Sequence, residues 1–413
     1  MRKLIWSLAA LALATNGAAA AAPGRGAPQR GTIERIVLLM RHGVRPPTKA
    51  QPMAAGIAVD AWPAWPVKPG YLTPHGAEAV KLLGGFDRAV LAKTLFAGHG
   101  CPAASAVSVY SDSDQRTIAT GDAWLAGFAP GCGLANQHHA QDDPDTLFSP
   151  IDTGAVPFDP ARANAAVTAN LGPGSLAAVE AKQRDALAML DRILCGPKPV
   201  AGCGVSDKPS VLVPADAGTR PKFKGALDLG STAGQILLLE YAEGKPMAEV
   251  GWGRASKADI AAASALHAVE YHVVARPDYV AASNSALIAK RMVAALTDPS
   301  AAKLTLLVGH DTNVAALAGL LDLHWRAPGF AADDPPPGGA IGFALVRDTK
   351  GKRFVRALFR SQSLDGIRAL APVPANAVTV LAIPGCREVP GLGCPAAAFT
   401  ALVKRRLGNW GDK

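Results

Sequence analysis

The chain has 413 residues, of which 49% are hydrophobic and 18% charged, and its formal net charge is +9. This length exceeds what one hydrophobic core usually serves, so we expect two domains or one large domain with an insertion. The basic residues are dispersed rather than run together, which favours a phosphorylated small molecule over nucleic acid as the partner. Beyond the N-terminus, no apolar stretch reaches the roughly 18 residues that suggest a membrane span.

The first 22 residues have the three parts of a secretory signal peptide. Arg2 and Lys3 form a basic start, residues 4–14 are apolar, and residues 18–22 are all alanine. Removing residues 1–22 takes away these two positive charges and no acidic residue, so the net charge falls from +9 to +7. We therefore predict export, either to the periplasm or out of the cell.

The cysteine pattern agrees with export, because the six cysteines fall into three sequential couples. Two couples are eight residues apart in loops rich in proline and glycine, a spacing that suits local disulfides in an oxidising compartment. Other pairings are formally possible, so the connectivity is a hypothesis. The predicted disulfides are Cys101 with Cys132, Cys195 with Cys203, and Cys386 with Cys394.

Three segments share one pattern, in which a short apolar run precedes a polar turn. Near-continuous leucines and β-branched residues are typical of strands buried on both faces of a parallel sheet. The chemistry of such sheets gathers beyond the carboxyl ends of the strands, which is where all three polar turns would lie. The runs with their turns are residues 36–40 with 41–42, 107–110 with 111–116, and 304–308 with 309–313.

Helical patterns dominate the middle of the chain. Ser175 is placed to cap a helix whose apolar positions continue to Leu194, residues 226–242 form a second helical stretch, and Ser256 opens a third with a capping-box pattern. We therefore predict a helical insertion over residues 160–284 that covers the active edge of the sheet. The α/β domain would then consist of residues 23–159 and 285–413.

The turn that follows the first apolar run, Arg41-His42-Gly43-Val44-Arg45, carries the strongest chemical signal. Arginine presents a planar fork of donors that matches phosphate oxygens and stays charged at any working pH. An imidazole between two such groups is placed to attack phosphorus and to form a phosphohistidine, which water then hydrolyses. A basic surface turn is the alternative for an isolated motif of this kind.

The two later turns supply the remaining groups that phosphoryl transfer needs. Arg116 adds positive charge, and His310 adds a hydrogen-bond donor. Asp311 is the candidate general acid, because an alkoxide leaves poorly without a proton. A carboxylic acid in this role works best at acidic pH, so we expect an acid optimum. We expect neither a metal ion nor a cofactor, since the arginines would neutralise the phosphate.

These motifs carry a resemblance to a known family. The sequence R-H-G-V-R-P-P-T-K at residues 41–49 and G-H-D-T-N at residues 309–313 resemble the histidine acid phosphatase family. The similarity is greatest to its bacterial periplasmic branch, which contains phytases and glucose-1-phosphatases. Further matching stretches include residues 60–67, 72–74, 115–117, 251–254 and 336–339.

The resemblance implies an α/β fold like that of phosphoglycerate mutase, with a parallel-rich sheet flanked by helices and an inserted α-helical cap. It implies His42 as the nucleophile and Asp311 as the proton donor. The phosphate clamp would be Arg41, Arg45, Arg116 and His310, and the residues that match positions near the substrate are Thr48, Lys49, Asp112 and Glu249.

Departures from the family pattern bear on specificity. Asn284 stands where phytase-like members carry a substrate-contacting arginine, and the glucose-1-phosphatase branch also has asparagine there. Thr48 and Lys49 instead match the residues that phytases have at these positions. We therefore expect a secreted, phytase-like or broad-specificity acid phosphatase, with a glucose-1-phosphatase as the alternative. The remote alternative is a catalytically silent phosphate-binding protein, which would have no need of Asp311. We expect a monomer, with neither nucleic acid nor membrane as a partner.

Overall fold

The computed structural model describes residues 31–410, except residues 99, 173, 174 and 199. The predicted signal peptide lies outside the described residues. Within the described residues, no helix combines the length and apolar character that a membrane crossing requires. The three predicted disulfides are formed, with Cα–Cα distances of 5.4, 5.8 and 5.8 Å.

A mixed sheet of eight strands forms the centre of the molecule. Its order is β10-β8-β7-β1-β6-β2-β3, and β9 pairs with β8. A separate hairpin joins β4 to β5. The strands are β1 Thr32–Arg41, β2 Val107–Ser111, β3 Asn136–Gln137, β4 Val211–Val213, β5 Lys222–Lys224, β6 Leu304–Gly309, β7 Ala340–Arg347, β8 Arg353–Arg360, β9 Val378–Leu381 and β10 Cys394–Pro395.

The predicted parallel strands are neighbours in this sheet. Strand β6 lies between β1 and β2 and is parallel to both, with Arg41 of β1 opposite Gly309 and Ser111 of β2 opposite Val308. The three polar turns therefore begin at one edge of the sheet, as the sequence pattern predicts. The strands from β7 onward pair antiparallel, which completes the sheet on the other side of β1.

Helices cover both faces of the sheet. Leu38 and Met40 of β1 belong to a core cluster that also contains Val80 and Trp124, from the two helices on that face. The alternate residue Leu39 belongs to the larger core on the opposite side. The helices are α1 Pro74–Leu91, α2 Gln115–Phe128, α3 Pro160–Leu171, α4 Ser175–Lys182, α5 Arg184–Cys195, α6 Ala226–Ala242, α7 Lys257–Val274, α8 Asp278–Thr297, α9 Asp311–Leu321, α10 Leu364–Arg368 and α11 Ala396–Leu407.

The middle of the chain is helical, as its sequence pattern indicates. Helix α6 has the predicted bounds, and Ser256 forms the predicted capping box with Asp259 at the start of α7. The single helix expected after Ser175 is instead two helices, α4 and α5, because Gln183 between them has φ −102° and ψ 6°. Helix α8 runs through the expected limit at residue 284, and the division into an α/β domain and an inserted cap stays a prediction.

Candidate active site

The candidate nucleophile is held where β1 ends. The backbone N–H of His42 donates to the carbonyl of Gly309 at 3.0 Å, and its carbonyl accepts from the N–H of Gly338 at 3.0 Å. Gly43 follows in a place where a Cβ would come within 2.8 Å of a Leu72 side-chain carbon, so glycine allows the close packing of this turn. These contacts fix the position of the imidazole relative to β6.

The hydrogen bonds of His42 determine its tautomer. Its Nδ1 lies 2.8 Å from the carbonyl oxygen of Gly43. A carbonyl can only accept, so Nδ1 carries the proton and Nε2 keeps the lone pair. The side chain is 1% exposed. Burial, followed by the charges of Arg116 and Arg45, holds the pKa of His42 well below its usual range. The imidazole therefore stays neutral in acid.

Three guanidinium groups surround this imidazole, and each has a buried Nε atom that finds no hydrogen-bond partner among the described residues. Arg41 donates to the carbonyl oxygen of Pro335 at 2.5 Å and to Gln235 Oε1 at 3.0 Å. Burial, together with the nearby Arg116, lowers the pKa of Arg45 to about 10. Like charges held together in a buried pocket are costly unless an anion joins them, so the arrangement fits a phosphate group.

His310 lies at the N-terminus of α9, with its ring centroid 5.6 Å from that of His42. Its Nε2 is 2.6 Å from Asp112 Oδ2 and 3.2 Å from Asp114 Oδ2. Burial opposes the charged form, yet the hydrogen bonds to these two carboxylates raise the pKa of His310 above its usual value. Its Nδ1 lies 3.4 Å from Arg116 Nη2, so the two side chains are close enough to contact one anion.

One group of described residues has ligand atoms within 4.8 Å of one another, which is close enough to hold a metal ion. This group consists of Asp112, Asp114 and His310. Arg116 donates to Asp114 at 2.7 Å, so a cation at this place would face a guanidinium. The carboxylates instead orient His310 and Arg116, an arrangement that resembles the support of a catalytic histidine rather than a metal centre.

Asp311 is the first residue of α9, and its side chain is 15% exposed. Its Oδ1 accepts from the backbone N–H of Thr312 at 2.9 Å, and its Oδ2 lies 2.9 Å from Arg41. Burial favours the protonated form, but Arg41 and His267 hold the pKa of Asp311 well below its usual range. The ion pair with Arg41 therefore favours the carboxylate form of Asp311, and its predicted role as the acid requires that it gain a proton.

His267 on α7 is a site residue that sequence reasoning missed. Its Nδ1 lies 2.6 Å from the buried Asp334, and its Nε2 lies 2.9 Å from the hydroxyl of Tyr271. The same Nε2 is 3.9 Å from Asp311 Oδ2. The sequence suggests only a core or surface position for this histidine, since a single histidine on an apolar helix carries no distinguishing signal.

Comparison with known proteins agrees with this arrangement. The sequence model of the histidine phosphatase superfamily (branch 2) matches residues 32–189 and 269–360. The phytase AppA of Escherichia coli (strain K12) is 34% identical over 402 residues, which cover 90% of this chain and 91% of that protein. The chain belongs to the histidine phosphatase superfamily.

The chain is also similar to a glucose-1-phosphatase and to a second phytase. The glucose-1-phosphatase of Providencia rettgeri is 28% identical over 346 residues, covering 81% of this chain and 82% of the relative. The structure of the Hafnia alvei phytase in complex with tartrate superposes with a TM-score of 0.86 at 33% identity, covering 93% of this chain and 99% of that one. The same phytase in complex with myo-inositol hexakis sulphate gives a TM-score of 0.83.

A cavity of about 340 Å³ opens over the candidate catalytic groups of this histidine phosphatase. Thr48 and Lys49 line it together with Arg45, His267 and Asp311. These two predicted specificity residues therefore share a cavity with Arg45 and Asp311.

The other predicted specificity residues are more scattered. Asn284 lines a second cavity, of about 310 Å³, and Asp112 lies behind His310. Glu249 is about half exposed and 3.8 Å from Lys245, and it lines neither cavity.

Proposed function

We propose that this protein hydrolyses phosphate monoesters through a phosphohistidine formed on His42, with inositol polyphosphates as the preferred substrates. The observation that carries the proposal is the state of His42, a buried neutral imidazole with a free Nε2 lone pair among three guanidinium groups. A neutral nucleophile that stays neutral in acid can attack a phosphate whose charge the arginines neutralise.

In the proposed reaction, Nε2 of His42 forms a bond to phosphorus while the bond from phosphorus to the ester oxygen breaks. Asp311 delivers a proton to that oxygen, and the alcohol leaves. Water then attacks the phosphohistidine, its proton passes to the Asp311 carboxylate, and inorganic phosphate is released. Arg41, Arg45 and Arg116 bind the oxygens that do not react.

Asp311 has to be protonated for the first step, although Arg41 holds it as a carboxylate in the absence of an anion. A phosphate group bound by Arg41 would compete for its guanidinium and add negative charge beside Asp311. Both changes raise the pKa of a carboxyl group. We infer that substrate binding itself converts Asp311 into an acid, which agrees with an acidic working range.

The proposed substrate class follows from the relatives and from the cavity. Lys49 lines the same cavity as Asp311 and as Arg45 of the phosphate clamp, where it can meet a second phosphate of an inositol polyphosphate. The alternative is a sugar phosphatase resembling glucose-1-phosphatase, which Asn284 favours because it offers no positive charge. We further propose that the protein acts as a monomer and is exported, and the three disulfides support the export.

The substitution His42→Ala tests the nucleophile. We expect p-nitrophenyl phosphate turnover to fall by about three orders of magnitude or more, because the substitution removes the proposed nucleophile. Rapid quenching of the wild-type enzyme should trap an acid-labile, base-stable phosphoryl group that the variant lacks. The matched control is His138→Ala, which removes an exposed histidine. Near-native turnover by His42→Ala would overturn the assignment.

The substrate class is tested separately, by comparing kcat/KM for phytate and for glucose 1-phosphate at acidic pH. A preference for phytate supports the phytase-like proposal, and a preference for glucose 1-phosphate supports the alternative. If the protein hydrolysed none of these two esters and p-nitrophenyl phosphate, the catalytically silent phosphate-binding protein would remain as the explanation.

A further inference from the structure

A second cavity adjoins the catalytic cavity, which is the cavity of about 340 Å³ that Lys49 and Asp311 line. The second cavity, of about 310 Å³, shares two lining residues of α7, Glu270 and Tyr271, with the catalytic cavity. These side chains therefore form the partition between the two spaces. A substrate with one phosphate fills the clamp around His42, whereas a substrate with several phosphates would extend toward the partition.

Two basic side chains line the second cavity. Arg220 and Lys222 line it, and Arg220 is 3.4 Å from Asp152, which also lines it. Asn284 adds an uncharged amide to the lining. An anionic group that entered this cavity would meet these two cations as well as the carboxyl groups of Glu270 and Asp152.

The carboxyl of Glu270 is the one acidic side chain in the partition. Its hydrogen-bond partner is the hydroxyl of Ser231 on α6, which donates to Oε2. Asp228 on α6 and Asp311 on α9 also face it, as does His267 on its own helix. Burial raises the pKa of Glu270, and the two neighbouring carboxyl groups act in the same direction, while Ser231 and His267 oppose them.

We propose that Glu270 determines specificity, by controlling whether a second phosphate of the substrate can occupy the cavity next to the catalytic one. This inference rests on the proposed function. A protonated Glu270 is neutral and donates a hydrogen bond, so an anion can approach Arg220 and Lys222. An ionised Glu270 repels that anion across the partition. Substrates with several phosphates are therefore accepted best in acid, whereas a substrate with one phosphate leaves the second cavity empty.

The test uses myo-inositol hexakis sulphate as a competitive inhibitor of p-nitrophenyl phosphate hydrolysis. Its sulfate groups stay ionised throughout the acidic range, so any pH dependence of the inhibition constant belongs to the protein. For the wild-type enzyme we expect the inhibitor to weaken by about tenfold or more between roughly pH 4 and pH 7. In Glu270→Gln this weakening should be smaller than in the wild-type enzyme, because the amide is neutral at every pH and only the contribution of His310 remains.

Three further variants make the test specific. Glu240→Gln changes a different buried glutamate with a raised pKa, which lines neither cavity, so it should keep the wild-type pH dependence. Lys222→Gln should weaken the inhibitor at every pH, because it removes one of the two attracting cations. Glu270→Ala is the second variant at the partition, in case the amide disturbs the packing against Ser231.

The outcomes separate this inference from the proposed function. If the wild-type enzyme hydrolyses p-nitrophenyl phosphate but Glu270→Gln and Glu270→Ala keep its pH profile for inhibition, the inference is wrong. The same holds if Glu240→Gln loses the pH dependence to the same extent as Glu270→Gln. If the wild-type enzyme does not hydrolyse p-nitrophenyl phosphate, the proposed function itself fails.

Discussion

Replacing Asp311 by asparagine tests whether this residue protonates the leaving group. The amide keeps an oxygen that can accept from the N–H of Thr312, now 2.9 Å from Asp311 Oδ1, but it has no acidic proton to deliver. We expect the loss of activity to depend on the leaving group, because p-nitrophenolate departs readily without a proton and an alkoxide does not. A residue that only supports the fold would affect both esters alike.

The magnitude follows from the two roles that Asp311 has in the structure. General acid catalysis contributes about 10²- to 10⁴-fold, so the loss on 2-glycerol phosphate should fall in that range, with a loss of about tenfold or less on p-nitrophenyl phosphate. The ion pair with Arg41 at 2.9 Å would also be lost. Because a hydrogen bond between charged groups contributes roughly 1.5–3 kcal/mol, we expect a stability loss of about 2 kcal/mol.

The assay compares kcat/KM of the wild-type enzyme and Asp311→Asn on both esters at one acidic pH, with thermal unfolding measured in parallel. Asp334→Asn is the matched control, because this buried aspartate contacts His267 from the side opposite Asp311 and donates nothing to an ester. Equal losses on the two esters in Asp311→Asn would refute the acid role, and so would a leaving-group dependence of the same size in Asp334→Asn.

Two further predictions concern stability. Burial raises the pKa of Glu240 to about 7. Its protonated form therefore stabilises the fold fully below about pH 4.5, and up to about 3 kcal/mol of the unfolding free energy is lost as the pH rises through 7. The unfolding free energy of Glu240→Gln relative to that of the wild type, measured in urea, should therefore increase as the pH rises from about 4.5 to about 7. A difference that stays constant over this pH range would contradict the prediction. Inorganic phosphate at about 100 times its Kd should raise the unfolding free energy by about 2.7 kcal/mol, because it joins three buried guanidinium groups. No rise in Tm over sodium chloride of equal ionic strength would argue against the phosphate clamp.

The convergence of the site was predictable because it follows from backbone geometry. Apolar runs before His42 and before His310 indicate parallel buried strands, and parallel neighbours bring their carboxyl ends together whatever the sequence distance between them. Two of the disulfides were predictable because each joins cysteines eight residues apart, whereas Cys101 and Cys132 are 31 residues apart and were paired by their order in the chain. The family resemblance added the roles of the individual side chains.

Other features depend on contacts that no local pattern reveals. His267 reaches Asp311 only because α7 packs beside the start of α9, and its partner Asp334 is 67 residues away in the chain. The break at Gln183 has neither proline nor glycine to announce it. The ion pair between Asp311 and Arg41 was not predictable from the sequence, because it depends on the direction of the Arg41 guanidinium group.

Catalysis in acid places opposite demands on two neighbouring groups, since His42 has to be deprotonated while Asp311 has to be protonated. The guanidinium groups lower both pKa values, so on their own they satisfy only the first demand. The second is met when a phosphate binds, because its charge offsets Arg41 at the point where that arginine faces Asp311. The low pKa of His42 survives this exchange, because burial is its largest cause and the bound ester excludes water further. The same guanidinium groups thus keep His42 deprotonated before the substrate binds, and Asp311 gains its proton only after a phosphate has bound.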